Sequence, residues 1–126
     1  MTVADVYAAA AAVVADVFAD SRFVVRTTPP DAAAAPAVWV ELVGGAADVA
    51  VRDVVELRVI AVAANTPHVS TLAQIADAAD RFAVMWRTPG AIDPARRWAV
   101  ELVELGGVDH TAAVADLTIP NPDPCP

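Results

Sequence analysis

The residues of this chain that could do chemistry are few, and their spacing does not gather them. Ser21 and Ser70 are the only serines, and neither stands in a G-x-S-x-G turn that would lift a nucleophile above a sheet. Ser70 or Thr71 reads instead as a helix cap. His68 and His110 lie far apart with no H-E-x-x-H or Cys/His spacing around either, so both read as solvent-exposed turn residues. Cys125, the only cysteine, stands between prolines and has no partner for an internal disulfide. The pairs Gly44-Gly45 and Gly106-Gly107 fall between strand patterns, where turns explain them, and not before a helix, where glycines cradle phosphate. Glu101 and Glu104 lie on opposite faces of a strand, while Glu41 and Glu56 share a hairpin's outer face with Arg58 as cross-strand charges. These residues argue for no enzyme, no cofactor and no metal. The weak remaining enzymatic reading is a site of His68, His110 and an acidic residue.

Something must position even a contact surface, and composition says what kind. A length of 126 residues is one domain's worth. Hydrophobic residues make up 57% and charged residues 19%, the latter below the roughly 25% usual for soluble domains. Such a chain has apolar surface left over once its core is filled, and leftover apolar surface marks protein contact. The net charge of −8, with every basic residue an arginine, argues against gripping nucleic acid through its phosphates. Polar residues interrupt every apolar run before a membrane span is reached, and no basic segment precedes the first run as in a signal peptide. The expectation is a soluble protein made in a reducing cytoplasm.

Apolar residues at three-and-four spacing predict a first helix over Val3–Ala19, with Val6, Tyr7, Ala10, Val13, Val14, Val17 and Phe18 on the buried stripe. Its other face, Ala8, Ala9, Ala12, Ala15 and Ala19, is smooth enough for another backbone to approach. Phe23–Thr27 is a short strand stopped by Pro29-Pro30. Ala37–Val43 and Val49–Ala63 alternate and predict a long β-hairpin over Ala37–Ala63 with a projecting tip near Gly44–Arg52. A second helix carries Leu72, Ile75, Ala76, Ala79, Phe82, Ala83 and Trp86 on its stripe. Arg97–Leu105 and His110–Ile119 form two closing strands around Gly106-Gly107, and a Pro-rich tail of 120–126 follows the domain of 1–119. The fold class is α+β: a mostly antiparallel sheet covered by two helices. Trp39 is a candidate contact anchor, because its neighbours Val38 and Val40 point to the opposite face.

Three stretches carry a family resemblance that covers nearly the whole chain. They are the helix VADVYAAAAAVVADVFAD running into a short strand, the Pro-containing loop and strand TTPPDAAAAPAVWVEL, and the elements from VELRVIAVAANTPHVSTLAQIADAADRFAVMW onward: strand, Pro turn, helix, then two closing strands. In this order of elements the chain resembles the tail terminator (tail completion) proteins of long-tailed bacteriophages, especially those infecting actinobacteria. The resemblance implies a structural virion protein, assembled in the host cytoplasm. It would be a homo-hexameric ring at the head-proximal end of the tail, stopping the tail tube protein's growth and meeting the head's connector or neck protein. It implies no catalytic residue, no cofactor and no membrane, and DNA passing through an acidic lumen without sequence-specific binding. On it, Pro29 and Pro30 stiffen an edge toward a neighbour. Trp39, Glu41, Arg52 and Arg58, with Arg22 and Arg26, become candidate subunit or tube contacts. A head-closure or neck protein of the same virion, or a small-molecule-binding α+β domain with a closed apolar pocket, are the alternatives.

Overall fold

The computed structural model describes residues 3–26, 36–47, 53–64, 68–87 and 97–120. In chain order the elements are α1 (Val3–Val17), β1 (Val24–Val25), β2 (Ala37–Ala47), β3 (Asp53–Val62), α2 (His68–Met85), β4 (Trp98–Leu105) and β5 (Val108–Pro120). The five strands form one sheet in the order β1-β2-β3-β5-β4. Only β1 runs parallel to its neighbour; every other pairing is antiparallel. This is the α+β architecture that the alternation and the two helical stripes predict.

The first helix forms where the apolar spacing places it. Val6, Ala10, Val14 and Phe18 recur every fourth residue, and all are buried. Tyr7 lies beside that stripe and donates its hydroxyl to the Val40 carbonyl at 2.7 Å, tying α1 to β2. The helix ends earlier than Ala19 because Ser21 intervenes. Its hydroxyl donates to the Phe18 carbonyl at 2.7 Å and accepts the Phe23 N–H at 3.1 Å, turning the chain into β1. The alanines Ala8, Ala9 and Ala12 are exposed, as the smooth back face requires.

Several sequence expectations shift. The second helix begins at His68, so Ser70 and Thr71 lie inside its first turn and do not cap it, and His68 is no turn residue. Its buried side holds Ile75, Ala78, Phe82 and Met85, whereas Leu72, Ala76 and Ala83 are exposed. The helix is thus rotated from the predicted stripe. The reason is Gln74, which is buried and accepts the Ala64 N–H at 2.9 Å, fixing the start of α2 to the end of β3. Gly44-Gly45 is no turn: both lie within β2, just past a register shift between Leu42 and Gly44. The strands of the expected long hairpin pair from Ala37↔Val62 to Ala47↔Asp53, but the connection at 48–52, including Arg52 and the tip, lies outside the described residues. Strand β5 starts at Val108 and reaches Pro120, so the closing strand is longer than expected at both ends.

Both faces of the sheet carry a core. The helix side packs Val38, Val40, Leu57 and Val59 with Phe18, Phe82 and Met85. Ala61, Ala113 and Ala115 stand under the helices with no exposed surface, small enough for close helix approach. The opposite face has a second cluster of Ala37, Trp39, Ile60, Val62, Leu105, Ala112 and Val114.

Candidate interaction surfaces

The helices do not cover the whole sheet. α1 packs on β2 and β3, and α2 mainly on β5 with a smaller contact on β4, so the end strand β4 is only partly covered. Alternation puts Trp98, Val100 and Leu102 on the helix side of β4, through their partners Ala115, Ala113 and Thr111. On this thinly covered strand they are exposed by 41%, 56% and 73%. The exposed flank of α2, with Leu72, Ala76 and Ala83, lies on the side of that helix turned away from Asp77 and Arg81. Asp77 and Arg81 are the residues that face the end of α1. That flank and the exposed side chains of β4 each leave apolar surface uncovered.

The other sheet face carries a cross-strand row of alternating charge. Glu41 stands opposite Arg58 on β3, and Arg58 stands opposite Asp116 on β5. Arg58 Nε lies 3.9 Å from Asp116 Oδ1, with Asp116 well exposed and Arg58 partly so, and the pair contributes under about 1 kcal/mol. Arg97 and Glu101 join Arg58 and Asp116 around a shallow hollow of about 240 Å³. The row can orient a charged partner more than it stabilises the fold.

A second hollow, of about 360 Å³, opens between the end of α1 and α2 and is lined by Asp20, Arg22, Asp77 and Arg81 among others. Arg81 holds it together. Its Nη1 donates to the Val17 carbonyl at 2.7 Å and to Asp20 at 2.6 Å, its Nε reaches Asp77 at 3.1 Å, and its guanidinium lies 5.9 Å from the centre of the Phe18 ring. The Arg81 hydrogen bond holds the Asp20 carboxyl below its ordinary value of 3.8. Arg81 in turn is raised, by the Asp20 hydrogen bond first. A lowered folded-state carboxylate stabilises the fold above its unfolded pKa and loses that contribution as pH falls through the folded one. Separately from that linkage, Arg81→Met lowers stability at pH 7 by about 1–2 kcal/mol through loss of the Val17 bond and the Phe18 contact. In thermal melts across pH, the gap between wild type and variant narrows below the ordinary carboxylate range, as Asp20 protonates.

Of the contacts expected from sequence, Trp39 is corrected. It is only 2% exposed, buried in the second cluster, and its Nε1 donates to Glu41 Oε1 at 3.0 Å. It is a core residue, because the face that the alternation marks as polar has its own apolar cover. Glu41 and Arg58 are half-buried members of the charged row. Pro29, Pro30 and Arg52 lie outside the described residues. His110, expected in an exposed turn, is a buried residue of β5 whose ring nitrogens have no hydrogen-bond partner among the described residues. Ser21 is a turn-forming hydroxyl. Sequence reasoning missed Arg81 as a clamp and β4 as an exposed edge, although Trp98-x-Val100-x-Leu102 was visible as an apolar alternation.

Among the described residues, no group of three or more His, Cys, Asp and Glu could hold a metal, and no helix is long and apolar enough to cross a membrane. In comparisons with known proteins, no family model matches the chain, and no match emerges among curated proteins or solved structures.

Proposed function

We propose that this chain is a tail terminator of a long-tailed bacteriophage, a structural protein that rings the head-proximal end of the tail tube. The observation that carries the reading is the end strand β4, whose Trp98, Val100 and Leu102 form an exposed apolar stripe at one end of the sheet. A surface of that kind is built for protein contact. The element order and the three stretches that resemble the family add to it. The net charge of −8 fits a lumen that lets DNA pass without holding it. In this role the chain ends tube growth by occupying the tip and offers its far side to the neck.

Purified protein mixed with tail tubes and imaged by negative-stain electron microscopy tests the proposal. A ring on one end of each tube, with growth halted, is the expected result. Unaltered tubes beside scattered single particles would sink it. Ala9→Glu and Ala12→Glu refine the test, because both positions are exposed on the back of α1. Each should leave stability within about 0.5 kcal/mol of wild type in a thermal melt while lowering tube occupancy.

A further inference from the structure

The sheet has two ends, and they differ in a way that makes them complementary. At one end β1 exposes Val24 and Val25, with exposed Arg22 and Arg26 on either side. At the other, β4 exposes Val100 and Leu102, with exposed Glu101 and Glu104 between and beyond them. One edge is apolar and basic, the other apolar and acidic.

The backbone groups of both edges are directed outward at matching positions. Val24 and Arg26 donate their N–H groups inward, to Pro36 and Val38, so those of Val25 point away from the sheet. On β5, the Thr111 carbonyl accepts from Ala63 on the β3 side, so His110 and Ala112 turn toward β4. Their partners Val103 and Glu101 therefore bond inward, and Leu102 between them points its backbone outward.

We infer that β1 of one copy adds to β4 of the next, joining the sheets of neighbouring copies head to tail. Because β1 and β4 run in opposite directions within the sheet, a copy related by rotation about an axis along the strands meets its neighbour antiparallel. The register that sets Val25 opposite Leu102 also sets Arg26 opposite Glu101 and Val24 opposite Val103. All three pairs keep their faces: Val25 shares the helix side with its partner Val38, as Leu102 does with Thr111, and Arg26 and Glu101 share the other. The join is heterologous, so it closes into a ring when the rotation allows. Since β1 has only two residues, one join is weak and closure of the ring supplies the rest. The inference rests on the ring reading above for its setting, but its test needs no tubes.

That test mixes two single variants, Val25→Cys and Leu102→Cys, each in a Cys125→Ser chain, and oxidises them at millimolar concentration. Both positions are exposed, and thermal melts confirm that each variant folds. Directly opposed residues of a hydrogen-bonded antiparallel pair have Cα atoms about 5.5 Å apart, within disulfide reach. The expected result is a mixed disulfide between the two variants. Arg26→Glu in the Val25→Cys chain should cut its yield several-fold, and Glu101→Arg in the other should restore it. Disulfides only between two copies of the Leu102→Cys variant would overturn the inference in favour of a two-fold β4 pairing, and absence of any cross-link would overturn it outright. Mixed disulfides from a protein that never caps tubes would keep this interface and remove the terminator reading. Capped tubes without mixed disulfides would do the reverse.

Discussion

Replacing Trp39 by alanine lowers stability by about 3–5 kcal/mol, read from chemical denaturation, a large part of the 5–15 kcal/mol that holds a typical domain together. Trp39 is among the largest fully buried side chains, and it packs with Ala37, Ile60 and Val62 on the sheet face opposite the helices. Those neighbours are fixed by strand pairing and cannot collapse far into the space an indole leaves. The substitution also removes the donor that Glu41 accepts at 3.0 Å, although Glu41 is half-buried and can turn to water. Trp39→Phe keeps most of the apolar contact and should cost clearly less. A contact anchor would behave in the opposite way, with unchanged melting and lost assembly, so the pair of measurements separates the two roles.

Local pattern made much of this fold legible, and its limits follow from what local pattern encodes. The stripe Val6, Ala10, Val14 and Phe18 is a property of one helix and is read directly from spacing. Alternation along β2 correctly divides Val38 and Val40 from Trp39 and Glu41, but it cannot say which divided face is covered. Cover on the second face comes from Leu105, Ala112 and Val114, over forty residues away, and two strands of that cluster meet only because β5 inserts between β3 and β4. Strand order is a non-local property, which is also why the parallel pairing of β1 was not visible. The exposed edge was hidden for the same reason. The alternation of Trp98, Val100 and Leu102 does not say how far the helices reach over it, and only the folded arrangement shows that all three stay exposed. Arg81 could not be read as a clamp, because its partners Asp20 and the Val17 carbonyl belong to α1 and the turn after it.

The rotation of α2 sets up the sharpest contrast within one element. By spacing alone Leu72 and Phe82 belong to the same stripe, so equal truncations should cost alike. In the structure Phe82 has no exposed surface, while Leu72 is 53% exposed. Phe82 stands between Phe18 and Trp86, its ring 6.1 Å and 6.2 Å from theirs, and Phe18 continues edge-to-face onto Phe23 at 5.7 Å. This run of rings joins α1, the turn into β1 and the end of α2. Phe82→Ala removes its middle and leaves a cavity between helices and sheet, at a cost of about 3–5 kcal/mol. Trp86 then loses a packing partner, which loosens its indole bond to the Asp116 carbonyl at 3.1 Å and weakens the hold of α2 on β5. Leu72→Ala should change stability by no more than about 0.5 kcal/mol, since its side chain stays largely in water in either state. Equal losses at the two positions would mean that α2 packs on the stripe read from spacing, burying Leu72. A large loss at Phe82 alone means that α2 turns Leu72 to solvent and Phe82 into the core, as the rotated stripe has it.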